Sequence, residues 1–117
     1  GLSTVTHNVK KYGYIDSTHF VPGWFSETLP DYDEVEKIAY AFIDVDLCKS
    51  LEECLEFVLP RLQKGGIIFS HEAQDPDYPA VFEKYGLLNG DKYISEGVGI
   101  GIVLNREPSN LCMFKKK

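Results

Sequence analysis

The segment Ile38-Ala39-Tyr40-Ala41-Phe42-Ile43-Asp44-Val45 constrains this chain more than any other. It is apolar almost throughout and lacks the alternation of a strand that faces water on one side. Such a run predicts a strand buried on both faces, in the middle of a parallel sheet. Parallel strands need a crossover, and the residues that follow supply a helix for it. Leu51, Cys54, Leu55, Val58, Leu59 and Leu62 recur at the i, i+3, i+4, i+7, i+8 and i+11 spacing of a single apolar stripe. Ser50 with Glu53 predicts a capping box at the helix start, Pro60 a kink in its last turns, and Lys64 with Gly65-Gly66 its end. Ile67-Ile68-Phe69 then opens a second buried strand, running to about His71.

The flanking residues extend the alternation. Upstream, Thr4 to Tyr12 predicts a short helix closed by a left-handed Gly13, and Ser17 to Val21 a short strand stopped by Pro22-Gly23. Trp24 to Leu29 predicts a helical turn or two, and Asp31 to Glu36 a solvated connector or a short helix. Downstream, Tyr78 to Tyr85 predicts an amphipathic helix with Val81, Phe82 and Tyr85 on one face and Gly86 as its stop. Lys92 to Glu96 and Ile100 to Asn105 predict an antiparallel pair joined through Gly97, Gly99 and Gly101. The expected fold is an α/β, Rossmann-like open sheet, mostly parallel with a C-terminal antiparallel hairpin, over one domain spanning 1–117.

Charge and cysteines narrow the function classes. The net charge of −6 argues against nucleic acid as a partner, because such affinity rests on Lys and Arg neutralising phosphates. Lys115-Lys116-Lys117 reads as a solvated tail. Cys48, Cys54 and Cys112 give an odd count without metal-type spacing, which suits reduced thiols in a cytoplasmic protein. No apolar run reaches the ~18 residues of a membrane span, so no membrane partner is expected. The N-terminal residues lack a basic stretch followed by an apolar one, so no signal peptide is expected.

Ligands of open α/β sheets gather at the carboxyl ends of parallel strands, and both ends here are polar. The first strand ends Asp44-Val45-Asp46, the second Ser70-His71-Glu72. Neighbouring strands would bring Asp44 near His71 and Glu72, where the three could hold a divalent metal or remove a proton from a hydroxyl. Equally, Asp44 could cap the following turn while His71 and Glu72 lie in a solvated loop. The glycines of Gly97-Val98-Gly99-Ile100-Gly101 are followed by Ile102-Val103-Leu104, a strand and not a helix, so they predict a turn and not a nucleotide loop. Trp24 either closes the core or stacks on a flat ring. His7 and His19 read as structural.

Four segments together resemble the macrocin O-methyltransferase family of class I S-adenosylmethionine-dependent methyltransferases. They are PGWFSETLP (22–30), IAYAFIDVDL (38–47), LEECLEFVLPRLQKGG (51–66) and IIFSHE (67–72). The resemblance implies a C-terminal part of the methyltransferase domain, with methyl transfer to a hydroxyl of a small molecule, often a sugar, and a bound magnesium ion. Asp44 matches the acidic residue that binds the metal and acts as base; His71 and Glu72 stand where the family has two adjacent acidic residues. Asp46 matches a further acidic position to which no role is assigned. His71 departs from the pattern, and magnesium prefers oxygen ligands, so a softer metal or none suits this set better. Trp24 is the expected contact to S-adenosylmethionine.

The family's glycine-rich cofactor loop finds no counterpart among these residues, so the chain is expected to be inactive in isolation. With its usual neighbour absent, the 17–21 strand is expected to pair with 38–45, or two chains to pair through the exposed edge as a homodimer. The alternative is a non-catalytic α/β binding module with a methyltransferase-derived fold.

Overall fold

The computed structural model describes all 117 residues, Gly1–Lys117. Its centre is a four-stranded sheet in the order β1-β2-β6-β3. Strand β1 (Ile38–Ile43) runs parallel to β2 (Leu62–His71); β2 and β3 (Tyr93–Glu96) both run antiparallel to β6 (Leu111–Lys116). A small separate ladder joins β4 (Val103–Leu104) to β5 (Glu107–Pro108).

Helix α3 (Cys48–Val58) makes the crossover between β1 and β2, and α4 (Tyr78–Lys84) follows β2. The expected stripe folds inward, with Leu51, Cys54, Leu55 and Val58 all buried. They meet a sheet face built from Ile43, Ile68, Cys112 and Phe114, whose register lines up Ile43 with Ser70, Ser70 with Cys112, and Ile68 with Phe114. Phe82 from α4 closes this core against Phe114, ring centroids 4.7 Å apart, with Tyr78 edge-on to Phe82.

Several local expectations give way to longer-range pairing. The crossover helix begins at Cys48, with Leu47 as N-cap and no side-chain cap, so Ser50 lies inside the first turn and there is no capping box. Pro60 ends the α-helix instead of kinking it: the chain tightens into a 3-10 turn over Leu59–Arg61. Lys64, Gly65 and Gly66 are therefore in β2, not at a helix end. Ile38 pairs with Leu62 and Tyr40 with Ile67, so β2 bulges between, and Gly65 takes the left-handed φ of 78° that the bulge requires.

The 17–21 segment is not a strand. A 3-10 turn occupies Ile15–Ser17, the chain to Phe25 is irregular, and β1 has no neighbour on its outer side. That overturns the expected pairing of 17–21 with 38–45. It also places β1 at a sheet edge, where Tyr40 and Phe42 are 57% and 51% exposed instead of buried on both faces. Helix α1 (Leu2–Tyr12) ends at Gly13 in extended backbone, not left-handed, and buries none of its residues. The short α2 (Phe25–Thr28) packs on α3.

The C-terminal region departs most. β3 pairs not with 100–105 but with β6, whose end carries lysines expected in a solvated tail. Lys116 Nζ donates to the Leu62 carbonyl at 2.8 Å, and Lys117 N to the Lys92 carbonyl at 2.9 Å, so two of those lysines are built into the sheet end. No helix is long and apolar enough to cross a membrane.

Because Phe114 is fully buried between Phe82 and the sheet, Phe114→Ala is expected to lower unfolding free energy by about 3–5 kcal/mol. Urea denaturation measures it; a loss below about 1 kcal/mol would contradict the placement of β6 in the core.

Candidate functional site at the strand ends

Parallel pairing of β1 with β2 sets Ile43 beside Ser70, so the next residues of both strands emerge together. The His71 Nδ1 atom lies 2.9 Å from a Glu72 carboxylate oxygen and 3.4 Å from one of Asp44. It is screened from solvent, yet neither carboxylate sits on the line a full hydrogen bond needs. Asp44 is the most accessible of the three, its side chain 63% exposed; His71 and Glu72 are about a third exposed, at 37% and 34%. The sequence-expected convergence of Asp44, His71 and Glu72 therefore exists. Asp46, two residues past Asp44, is exposed and enters no ion pair.

Local geometry explains how the residues are held. Glu72, the first residue after β2, takes a left-handed φ of 61°, and its carboxylate lies against the preceding imidazole. Its other oxygen accepts from Asn110 Nδ2 at 3.1 Å. On the β1 side, the buried Tyr78 hydroxyl donates to the Val45 carbonyl, between Asp44 and Asp46. Burial first, then the nearby Cys48, Asp75, Glu72 and Asp46, pushes the Tyr78 hydroxyl up to about 12. Neither Tyr78 nor Asn110 stood out in the sequence. Tyr78 read only as the start of a helix, outside its apolar face, and Asn110 sits in a Ser-Asn turn whose partner is 38 positions away.

The set does not fit a magnesium ion in this arrangement. The imidazole nitrogen stands at contact distance from both carboxylates, where a cation would need to be, and no group of three His, Cys, Asp or Glu residues is arranged to hold one.

Nor do these residues form an adenosylmethionine loop. Gly97, Gly99 and Gly101, all with left-handed φ, connect β3 to β4, and no glycine turn leads from a strand into a helix. Trp24 does not close the core: it is 76% exposed, at the N-cap of α2. Its neighbour Phe25 lines a hollow of about 320 Å³ with Leu29, Phe42, Asp44 and Phe57, so the acidic strand end borders an apolar recess.

His19 pairs with Glu34 at 3.1 Å on the surface, a contact of little energetic weight. All three cysteines are free. Burial pushes Cys54 and Cys112 up to about 11, and raises Cys48, the least buried of the three.

Comparison with known proteins gives this geometry a context. The family profile described as Macrocin-O-methyltransferase (TylF) matches residues 1–85. A curated Streptomyces olivaceus protein is 36% identical over 103 residues: the 8-demethyl-8-(2,3-dimethoxy-alpha-L-rhamnosyl)-tetracenomycin-C 4'-O-methyltransferase. The match covers 86% of this chain and 39% of that protein, so the chain spans well under half of its relative's length. The O-methyltransferase NovP superposes with a TM-score of 0.75 at 20% identity, over 98% of this chain and 44% of NovP. An rRNA methylase from Streptococcus thermophilus superposes at 0.70 with 21% identity, over 98% of this chain and 66% of its own. At these identities the two structures establish the fold alone: α/β, with parallel strands and antiparallel ones at the C-terminal side.

Raised thiol and phenol values mean the folded state holds protons that the unfolded chain releases first. Stability should be level below about pH 9, then fall as pH rises toward 11 to 12 through the folded values of Cys54, Cys112 and Tyr78. Denaturation midpoints across pH 7 to 12 check this; stability rising above pH 9 would contradict the burial of these groups. Tyr78→Phe should cost about 1–2 kcal/mol at pH 7 by leaving the Val45 carbonyl unpaired, read from the same denaturation curves.

Proposed function

The chain belongs to the macrocin-O-methyltransferase family, and on that premise we propose that it is the acceptor-side part of an S-adenosylmethionine-dependent O-methyltransferase acting on a small-molecule hydroxyl. The observation that carries the reading is the convergence of Asp44, His71 and Glu72 at the ends of two adjacent parallel strands. A neutral hydroxyl is a weak nucleophile, and a positioned base that takes its proton makes the oxygen reactive. Asp44 is the base: its carboxylate is the exposed member of the cluster and borders the apolar recess beside α2. The Glu72 carboxylate and the imidazole hold that side of the site in a fixed polar arrangement.

The methyl donor implied by the family, S-adenosylmethionine, supplies an electrophilic methyl group. Among these residues Trp24 is the candidate contact to it, with its indole presented to solvent. The rest of a donor site is not built here, so the chain by itself does not turn over. A sugar hydroxyl is the proposed acceptor, in keeping with the rhamnosyl group in the name of the Streptomyces relative. Free thiols on all three cysteines support a cytoplasmic protein.

The unpaired outer edge of β1 favours a second reading, a non-catalytic module that binds a partner, a second copy included, through that edge. The two readings separate in a polypeptide of the relatives' length. There Asp44→Asn is expected to lower kcat by about 10²–10⁴-fold, the range for loss of a general base, with little change in KM for the donor. Trp24→Ala is expected to raise that KM instead. Turnover unchanged by Asp44→Asn would remove Asp44 from the mechanism.

A further inference from the structure

Between α2 and the end of the crossover helix lies a second hollow, of about 400 Å³, which the strand-end chemistry does not use. It shares Phe25, Leu29 and Phe57 with the recess beside Asp44, but its other walls are charged: Glu53, Glu56 and Arg61. The spacing follows from the helix. Glu53 and Phe57 stand at i and i+4 on one face of α3, and Arg61 comes four residues further on, in the 3-10 turn. Phe57 thus lies between a carboxylate and a guanidinium.

The three charged groups are held differently. Arg61 Nε donates to the Val35 carbonyl at 3.1 Å and one Nη to the Phe57 carbonyl at 2.9 Å. The guanidinium carbon also sits 4.1 Å from the centroid of the Phe57 ring. Two carbonyls and a ring face therefore fix the guanidinium plane, while its second Nη makes no hydrogen bond within the protein. Glu56 is exposed and accepts from the Tyr85 hydroxyl at 2.7 Å. Glu53 is half-buried and has neither a hydrogen bond nor an ion pair, and no ion pair joins Arg61 to either glutamate.

Opposite charges that wall one hollow without touching favour a ligand that carries both signs. An anion would gain Arg61 but meet two carboxylates, and a simple cation would leave the guanidinium uncompensated. A neutral polyol would displace water from all three charges and neutralise none. We propose that this hollow binds an α-amino acid with an apolar side chain, its ammonium on Glu53, its carboxylate on Arg61 and its side chain against Phe25, Leu29 and Phe57. The ammonium supplies the donor that Glu53 lacks, and the carboxylate meets a guanidinium already oriented, so little order has to be gained on binding. The volume falls within the range of about 300–1,000 Å³ usual for small-molecule sites. This binding goes beyond the methyl-transfer reading and does not depend on it, since neither Glu53 nor Arg61 takes part in the chemistry at Asp44.

Titration of L-phenylalanine into the nitrogen-labelled 117-residue chain, followed by amide NMR, tests the proposal. The shifts are expected to saturate and to gather at residues 25–30 and 53–61. Phenethylamine lacks the carboxylate and hydrocinnamate lacks the amine; each is expected to bind at least about tenfold more weakly, the loss of one charge-assisted contact. Glu53→Gln removes a charge that holds nothing else in the fold. It is expected to weaken phenylalanine by a similar factor and to leave hydrocinnamate no weaker. Shifts that fail to saturate, or that centre elsewhere, overturn the proposal, as does either one-charge analogue binding as tightly as phenylalanine. So does a Glu53→Gln chain that binds phenylalanine as the parent does. None of these readouts involves methyl transfer, so their failure leaves the reading of the strand ends standing.

Discussion

The parallel pairing of β1 with β2 is the interaction on which the rest of this molecule depends. Opposed strands would put their carboxyl ends at opposite edges of the sheet; only parallel strands bring both acidic ends to one place. The pairing in turn requires a crossover, and α3 meets that requirement because its apolar stripe has somewhere to go. Leu51, Leu55 and Val58 bury themselves on the face of the strands they connect. Hydrophobic burial of one helix therefore fixes a register, and the register, with Ile43 beside Ser70, fixes the distance from Asp44 to His71.

The site is finished from the other direction. β6 runs antiparallel to β2 and starts at Leu111 opposite His71, which delivers Asn110 to the strand end. Tyr78, at the first turn of α4, reaches back across the core to the Val45 carbonyl. Residues from a strand, a helix and a turn thus converge on two short loops, and each is anchored in the fully buried layer that Phe82 and Phe114 form. Precision of this kind comes from rigid elements more than from the loops themselves.

What could be read in the sequence was what depends on local pattern. The stripe of α3, the apolar runs of β1 and β2, the helix of α4 and the polar strand ends are all periodic or contiguous. What could not be read was pairing between distant segments. Leu111-Cys112-Met113-Phe114 goes unassigned, and the lysines after it look like a solvated tail, until the partner strands β2 and β3 are known, because sheet membership is decided by neighbours and not by propensity. The capping box at Ser50 failed for a related reason: docking of α3 on the sheet starts the helix at Cys48, and tertiary contact outweighs a local cap. The apolar run of β1 correctly signalled a strand, yet Tyr40 and Phe42 face solvent here, on a chain that covers 39% of the length of its Streptomyces relative.

The proposed division of labour puts acceptor-side chemistry at Asp44, His71 and Glu72 and leaves donor binding beyond Trp24 to residues outside this set. Calorimetric titration of S-adenosylmethionine tests that division most directly, run into this chain and into a polypeptide of the relatives' length. The account predicts no measurable binding heat for the 117-residue chain and saturable binding for the longer one. Tight, stoichiometric binding by the 117-residue chain would contradict it.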